Sequence, residues 1–252
     1  MLWSVLQAKP RALSPPGPRL RPGAGAGPGG GPGGPRGYLR PGNERRCRDL
    51  LAAATARARD RRAAGTPGTP GAAAAAAAVL VPLCTVRGAP ALLYTLRSAL
   101  LAGRHRGDVS FPGGKCDPVD RDVVATALRE THEELGLQVQ ERSVWGVLEA
   151  VPDSKNSHIV PVVAQVGALE SLCLTPNPQE VDDVFTLPLA HLLQDGNQGY
   201  THFCVGGRYR YTLPVFLHGP YRVWGLTAII TERTLELLVP GAYRRRTHGP
   251  GL

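Results

Sequence analysis

Arg129-Glu130-Thr131-His132-Glu133-Glu134-Leu135-Gly136-Leu137 is the stretch that decides the fold. It sets three carboxylates within five residues, beside an arginine. Successive helical residues advance by about 100°, so Glu130, Glu133 and Glu134 share one face with Cβ atoms roughly 5–6 Å apart. Like charges at that spacing repel, and folding alone gives no reason to collect them. A divalent cation would turn the repulsion into a binding site. Val124, Leu128 and Leu135 supply an apolar side to the same helix and predict where it packs.

The flanks carry start and stop signals. Asp117 is the expected helix cap, Pro118 suits the first turn, and Gly136 suits the stop. Upstream, Phe111-Pro112-Gly113-Gly114 is a glycine turn able to bring backbone carbonyls to the same cation. Apolar runs at 78–83 and 91–96 read as strands, and Arg87-Gly88-Ala89-Pro90 between them predicts a hairpin. Further strands are expected at 144–150, 159–166, 183–187 and 209–216. A helix is expected from Glu44 to about Arg62, capped by Asn43 and carrying Leu50 and Leu51. A last helix is expected over 225–238, where Leu226, Ile229, Ile230, Leu235 and Leu238 are apolar.

Together the glycine turn and the acidic helix resemble the signature of the Nudix hydrolases. Gly114 opens it; Arg129-Glu130, Glu133-Glu134, Gly136 and Leu137 close it. Two departures are visible. The middle acid is Asp120 rather than Glu, with eight residues between it and Arg129, and Thr131 replaces an aliphatic residue. An element ahead of the signature is similar to that of the coenzyme A-type, mitochondrial members of the family. It comprises Leu92-Leu93-Tyr94-Thr95-Leu96-Arg97-Ser98, then Arg104, Gly107 and Phe111-Pro112-Gly113-Gly114. The resemblance spans about residues 44–243. It implies an α/β Nudix fold, a mixed sheet sandwiched between helices.

It also implies metal-dependent hydrolysis of the diphosphate of coenzyme A and its acyl esters, giving 3′,5′-ADP and 4′-phosphopantetheine or its acyl form. Mg²⁺ or Mn²⁺ suits a site of hard oxygen donors. Glu130 and Glu134 are the expected principal ligands, with Glu133 a third and the Gly114 carbonyl completing the set. Arg129 is expected to orient Glu130 or another carboxylate through a bidentate pair. The general base stays open among Glu133, Glu149, Glu180, Asp182 and Asp183. Asp120 either holds Arg129 or bonds the helix start in a capping box with Asp117, the second being preferred. Arg97, Ser98, Arg104, Gly107, Phe111, Gly113 and Lys115 are the candidate substrate contacts, with Phe111 expected to pack beneath the turn. Arg106 also lies close in sequence. His105, His132 and His158 read as surface histidines.

Composition bounds the rest. Of the net charge of +9, residues 1–43 contribute +6 with no acid, and Arg244, Arg245 and Arg246 contribute +3. The body is close to neutral, which argues against a nucleic-acid-binding domain. No apolar run reaches the roughly 18–20 residues of a membrane span. The five cysteines are scattered and suggest a reducing compartment. The chain divides into an Arg/Gly/Pro-rich leader over 1–43, expected to be disordered, a helix and linker over 44–71, a catalytic domain over 72–243 and a basic tail over 244–252. The leader reads as a mitochondrial transit segment, with delivery to the matrix. A small-molecule substrate and a monomer or homodimer are expected. The rival readings are a broader nucleoside-diphosphate hydrolase acting on NADH, ADP-ribose or oxidised nucleotides, a non-catalytic Nudix binding domain, and an RNA-processing partner.

Overall fold

The computed structural model describes residues 37–63, 75–102, 105–154, 157–205 and 208–245. Most of the leader, the 64–74 linker, Arg104 and the end of the tail lie outside these residues. The fold grows from an apolar strand, β1 (Ala75–Val86), whose two faces are both covered. Ala78 and Leu80 point to one side, where they pack with Ala127, Val162 and Ala164. Val79, Val81 and Leu83 point to the other, into the larger core. This period-two division is what a sheet buried on both faces requires.

β1 turns through Arg87-Gly88 into β2 (Ala89–Arg97), both turn residues having positive φ (50° and 74°). That is the backbone a two-residue hairpin favours. β3 (Val109–Ser110) pairs with β2, and β4 (Gly113–Lys115) pairs with β1. After α2 (Val123–Leu135) come β5 (Val144–Val147), β6 (Val151–Ser154) and β7 (Ser157–Ala168). β7 runs parallel to β1 and carries β5 and β6 antiparallel along its other edge. β8 (Val181–Pro188) joins β2. The result is a mixed sheet with α2 on one face. On the other face lie α1 (Pro41–Ala63) and, after the short α3 (Leu189–Leu192), α4 (Gly225–Leu238). A hairpin of β9 (Gln198–Val205) and β10 (Arg208–Phe216) forms a separate two-stranded sheet.

Several boundaries differ from expectation. α2 is capped by Asp122, whose carboxylate accepts the Ala125 N–H at 2.9 Å, not by Asp117. Asp117 instead closes the preceding turn, accepting the Val119 and Asp120 N–H groups through its side chain and carbonyl. Gly136 ends the helix as expected, at φ 64°, its N–H bonding the His132 carbonyl. α1 starts at Pro41, two residues before the expected cap, so Asn43 sits in its first turn. Leu51 is buried but Leu50 is exposed. The strand expected at 144–150 ends at Val147, with a bulge between Val144 and Gly146, and β6, which was not expected, begins at Val151. Tail residue Arg245 folds back to pair with buried Glu232 at 3.4 Å.

The cap assignment is testable. Asp122→Ala is expected to lower unfolding stability by about 1 kcal/mol, and Asp117→Ala by less than about 0.5 kcal/mol. Urea denaturation of both variants, read by far-UV circular dichroism, measures the difference.

Candidate active site

The site begins with two glycines that have no room to be anything else. Gly113 has φ 150°, and a Cβ there would run into the Ala78 carbonyl and the Val79 Cα of β1. At Gly114 a Cβ would overlap the carboxylate of Glu130. The turn therefore presses onto β1 from one side and accepts an acidic side chain from α2 on the other.

Glu134 comes to the same turn. Its side chain is only 4 % exposed, and its Oε2 accepts the Gly113 N–H at 3.3 Å. Its other oxygen lies 3.6 Å from an Arg97 nitrogen, an ion pair too long for a hydrogen bond. Burial raises the Glu134 carboxyl to about 8, against the pull of Arg97 and Gly113 and with help from nearby Glu180 and Glu130. Burial likewise raises Glu130, and Glu180 and Glu133 add to it. A buried carboxylate with so little compensation is a poor structural element and a good ligand for a hard cation.

Arg129 organises the outer side. Its Nε and Nη2 grip Asp120 at 3.0 and 2.9 Å, while Nη1 lies 3.0 Å from both Glu130 and Glu133. Asp120 also accepts the Thr126 hydroxyl and the Asp117 N–H. These bonds hold the Asp120 carboxyl well below the usual carboxylate range, Arg129 contributing most. Asp120 thus holds Arg129, the less favoured of its two roles, while still completing the reciprocal bond to Asp117. The bidentate pair of Arg129 falls on Asp120, and its bonds to the two glutamates are single.

The three glutamates do not converge as the spacing suggested. Glu133 is half-exposed and tied to Arg129. Among the described residues no three His, Cys, Asp or Glu side chains come close enough to enclose an ion. The donors that do meet at the turn are Glu130, Glu134 and the backbone of Gly113 and Gly114. Their oxygen chemistry and under-compensated charge fit a hard divalent cation.

A cavity of about 230 Å³ opens beside the turn, lined among others by Arg97, His105, Asp108, Gly113, Gly114 and Trp224. Arg97 Nε is buried there without a hydrogen-bond partner. Phe111 reaches the same cavity but is buried beneath the turn, stacked on Tyr94 at 4.8 Å. Other predicted contacts lie elsewhere. Ser98 is fully buried; its N–H bonds the Glu180 carbonyl and its hydroxyl accepts the Leu100 N–H. Lys115 is exposed, and its carbonyl accepts from Arg129. Gly107 lies in the turn that returns the chain to β3, with φ 70°. Arg104 lies outside the described residues.

A NUDIX domain model matches residues 74–203, over half of the chain. The chain belongs to the Nudix family. It is 66% identical over 206 residues to a human protein named mitochondrial coenzyme A diphosphatase NUDT8, with 82% of each chain covered. The mouse protein of the same name is 64% identical, covering 80% of this chain and 90% of that one. Nudix hydrolase 3 of Caenorhabditis elegans is 38% identical over 66% of this chain and 74% of its own. Nudix membership accounts for the paired motifs and for the need of a divalent cation.

Sequence reasoning missed His105 and Asp108 as cavity residues, and missed α4 as a wall of it. His105 Nδ1 lies 3.3 Å from Asp108 Oδ2, and this hydrogen bond, with the Asp108 and Asp153 charges, outweighs burial and Arg97 to raise the imidazole. His105 is exposed, as expected of a surface histidine, and it also stands at the cavity, where its spacing to Asp108 was the available signal.

Gly114→Ala drives a methyl group into Glu130 without touching the core. It is expected to weaken Mn²⁺ binding at least ~10-fold while unfolding temperature changes little. Mn²⁺ titration followed by electron paramagnetic resonance reads the first quantity and thermal denaturation the second.

Proposed function

We propose that this chain hydrolyses the diphosphate bond of coenzyme A and acyl-CoA, releasing 3′,5′-ADP and 4′-phosphopantetheine or its acyl form. The observation that carries the reading is the buried Glu134 carboxylate meeting Glu130 at the glycine turn, beside the unfilled Arg97 donor. Two relatives at 66% and 64% identity bear the name coenzyme A diphosphatase, which supports the choice of substrate.

Glu130 and Glu134, with the Gly114 carbonyl, would hold Mg²⁺ or Mn²⁺, and Glu133 would join them only by leaving its bond to Arg129. When bound there, such a cation would supply charge neutralisation for the diphosphate and acidify a water molecule. Arg97, whose side chain lines the cavity and is partly exposed, meets a phosphoryl oxygen through its guanidinium, where developing charge is best met by a preset donor. Arg129 keeps Glu130 aimed at the turn, and Asp120 keeps Arg129 in place.

Glu180 is the best-placed general base. It lies close enough to raise both Glu130 and Glu134. Its backbone is fixed by Ser98 and Asn177. The other loop acids are held by shorter bonds, Asp182 accepting the Ala99 N–H at 2.9 Å and Asp183 the Tyr221 hydroxyl at 2.8 Å, whereas among the described residues the Glu180 carboxylate accepts only the Asn177 amide at 3.4 Å. Ser98 therefore serves the reaction by positioning Glu180. The enzyme works in the mitochondrial matrix, as a monomer or homodimer, with residues 1–43 as its transit segment.

Incubation with coenzyme A and either metal, in ¹⁸O water with mass spectrometric detection, is expected to give labelled product on one phosphorus. Absence of product with both metals would refute the reading. Glu134→Gln is expected to lower turnover at least ~10²-fold through lost charge neutralisation. Glu180→Gln is expected to lower kcat by ~10²-fold or more with Mn²⁺ affinity changed less than in Glu134→Gln, and a larger effect on affinity than on kcat would make it a ligand instead.

A further inference from the structure

The segment 172–180, which leads into β8, is fastened to the end of α2 and delivers Glu180 to the site. Leu172 and Leu174 pack against the apolar cluster that holds Leu135 and Leu137. The last carbonyls of a helix have no partner within it, and here the segment supplies two. The Thr175 N–H donates to the Leu135 carbonyl and the Asn177 N–H to the Glu134 carbonyl, both at 2.8 Å. The approach is close enough that a Cβ at Gly136 would strike the Thr175 side chain.

Asn177 then shapes the turn that carries Glu180. Its carbonyl accepts the Glu180 and Val181 N–H groups at 3.0 and 2.8 Å. Its Oδ1 accepts the Gln179 N–H at 3.1 Å, and its Nδ2 donates to Glu180 Oε1 at 3.4 Å. Asn followed by Pro178 suits such a turn, since the asparagine oxygen bonds the backbone two residues on and proline presets the next φ. From the other side, the Ser98 N–H holds the Glu180 carbonyl at 2.8 Å. One residue thus ties the backbone of a metal ligand to the carboxylate of the base. Glu180 needs a restraint of this kind, because it stands near enough to Glu130 and Glu134 to be repelled by both. An arginine there would neutralise the base as well as hold it. A neutral amide holds the carboxylate and leaves its charge available for a proton.

We propose that Asn177 is a positioning residue for the hydrolysis, its side-chain amide aiming the Glu180 carboxylate while its N–H fixes the turn to Glu134. The inference rests on the reading of Glu180 as the base of the proposed diphosphatase.

Asn177→Asp separates this role from a purely structural one. Aspartate keeps the oxygen that accepts the Gln179 N–H and is as much at home in a turn, but it removes the donor and sets a like charge beside Glu180. The unfolding temperature is therefore expected to change little, while kcat for coenzyme A with Mg²⁺ falls at least ~10-fold and KM stays within about twofold. In a Glu180→Gln background the same substitution is expected to cost less than about twofold in kcat, because a residue that acts through Glu180 has nothing left to aim. A second measurement does not depend on turnover. In the metal-free protein, the Asn177 side-chain amide resonance, assigned by its absence from Asn177→Asp, is expected to shift in Glu180→Gln when read by ¹⁵N–¹H NMR. A parent-like kcat in Asn177→Asp, a loss carried by KM, an equal loss in both backgrounds, or an amide resonance that ignores Glu180→Gln overturns the proposal and leaves the base assignment standing. Full kcat in Glu180→Gln alone removes the base and the proposal with it. A responsive amide with no hydrolysis of coenzyme A would uphold the hold of Asn177 on Glu180 and reject the diphosphatase reading.

Discussion

Every feature of the site depends on how closely the Gly113-Gly114 turn approaches its neighbours. On one side it lies against the backbone of β1, and on the other it meets the carboxylate of Glu130. Two side-chain-free residues in succession make that sandwich possible. They also bring Glu134 within reach of the Gly113 N–H while it is buried against the sheet. Burying a carboxylate costs several kcal/mol unless something compensates it, and one long N–H bond with one long ion pair is modest compensation. The rest of the fold is stable enough to hold that acid in place. What it holds is a group with unmet affinity for positive charge, raised to about 8 by its surroundings.

Arg129 solves the neighbouring problem differently. It stands among Asp120, Glu130 and Glu133 and offsets their mutual repulsion before any ion is present. This explains how the chain tolerates its departures from the family pattern. α2 runs unbroken from its Asp122 cap through Val123–Leu135, so Arg129 and the glutamates stay in one helical register. Asp120, with a side chain one methylene shorter than Glu, still reaches both guanidinium nitrogens. Thr131 replaces an aliphatic residue at a fully buried position because its hydroxyl bonds the Ala127 carbonyl one turn back, leaving no polar group unsatisfied.

The sequence made legible whatever is local or periodic. The glycine turn, the α2 stop at Gly136, the β1–β2 hairpin and the bounds of α4 all follow from patterns within a few residues. The helix start did not, because Asp117, Asp120 and Asp122 are all competent caps and only the fold of the turn chooses among them. β9 was missed because it pairs with β10 alone, outside the main sheet, and needs no continuous apolar run. In the site, α2 and the turn were readable as a unit. The cavity was not, since Trp224 and Arg97 are far apart in the chain and meet only when α4 lies across β2 and β3. Convergence of all three glutamates on one point was an inference from helical spacing. Spacing fixes which residues share a face, but rotamers and the reach of Arg129 decide where their oxygens go.

α4 connects the site to α1, the helix that follows the leader. Its first residues line the cavity, while its last carbonyls, Leu237 and Leu238, accept from the guanidinium of Arg46 and the amide of Asn43 on α1. A cation at a helix C-terminus meets the negative end of the dipole as well as the orphan carbonyls. Midway, buried Glu232 takes the Tyr243 hydroxyl and pairs with Arg245, so the start of the basic tail closes over the same helix. α1 buries little apolar surface of its own, chiefly Cys47 and Leu51, and its packing against α4 and β5 is what gives it a place in the domain. The helix that precedes the sheet is therefore no mere spacer after the leader. It fixes one end of the element whose other end shapes the cavity, and the rigidity that substrate positioning needs is supplied in part from outside the signature motifs.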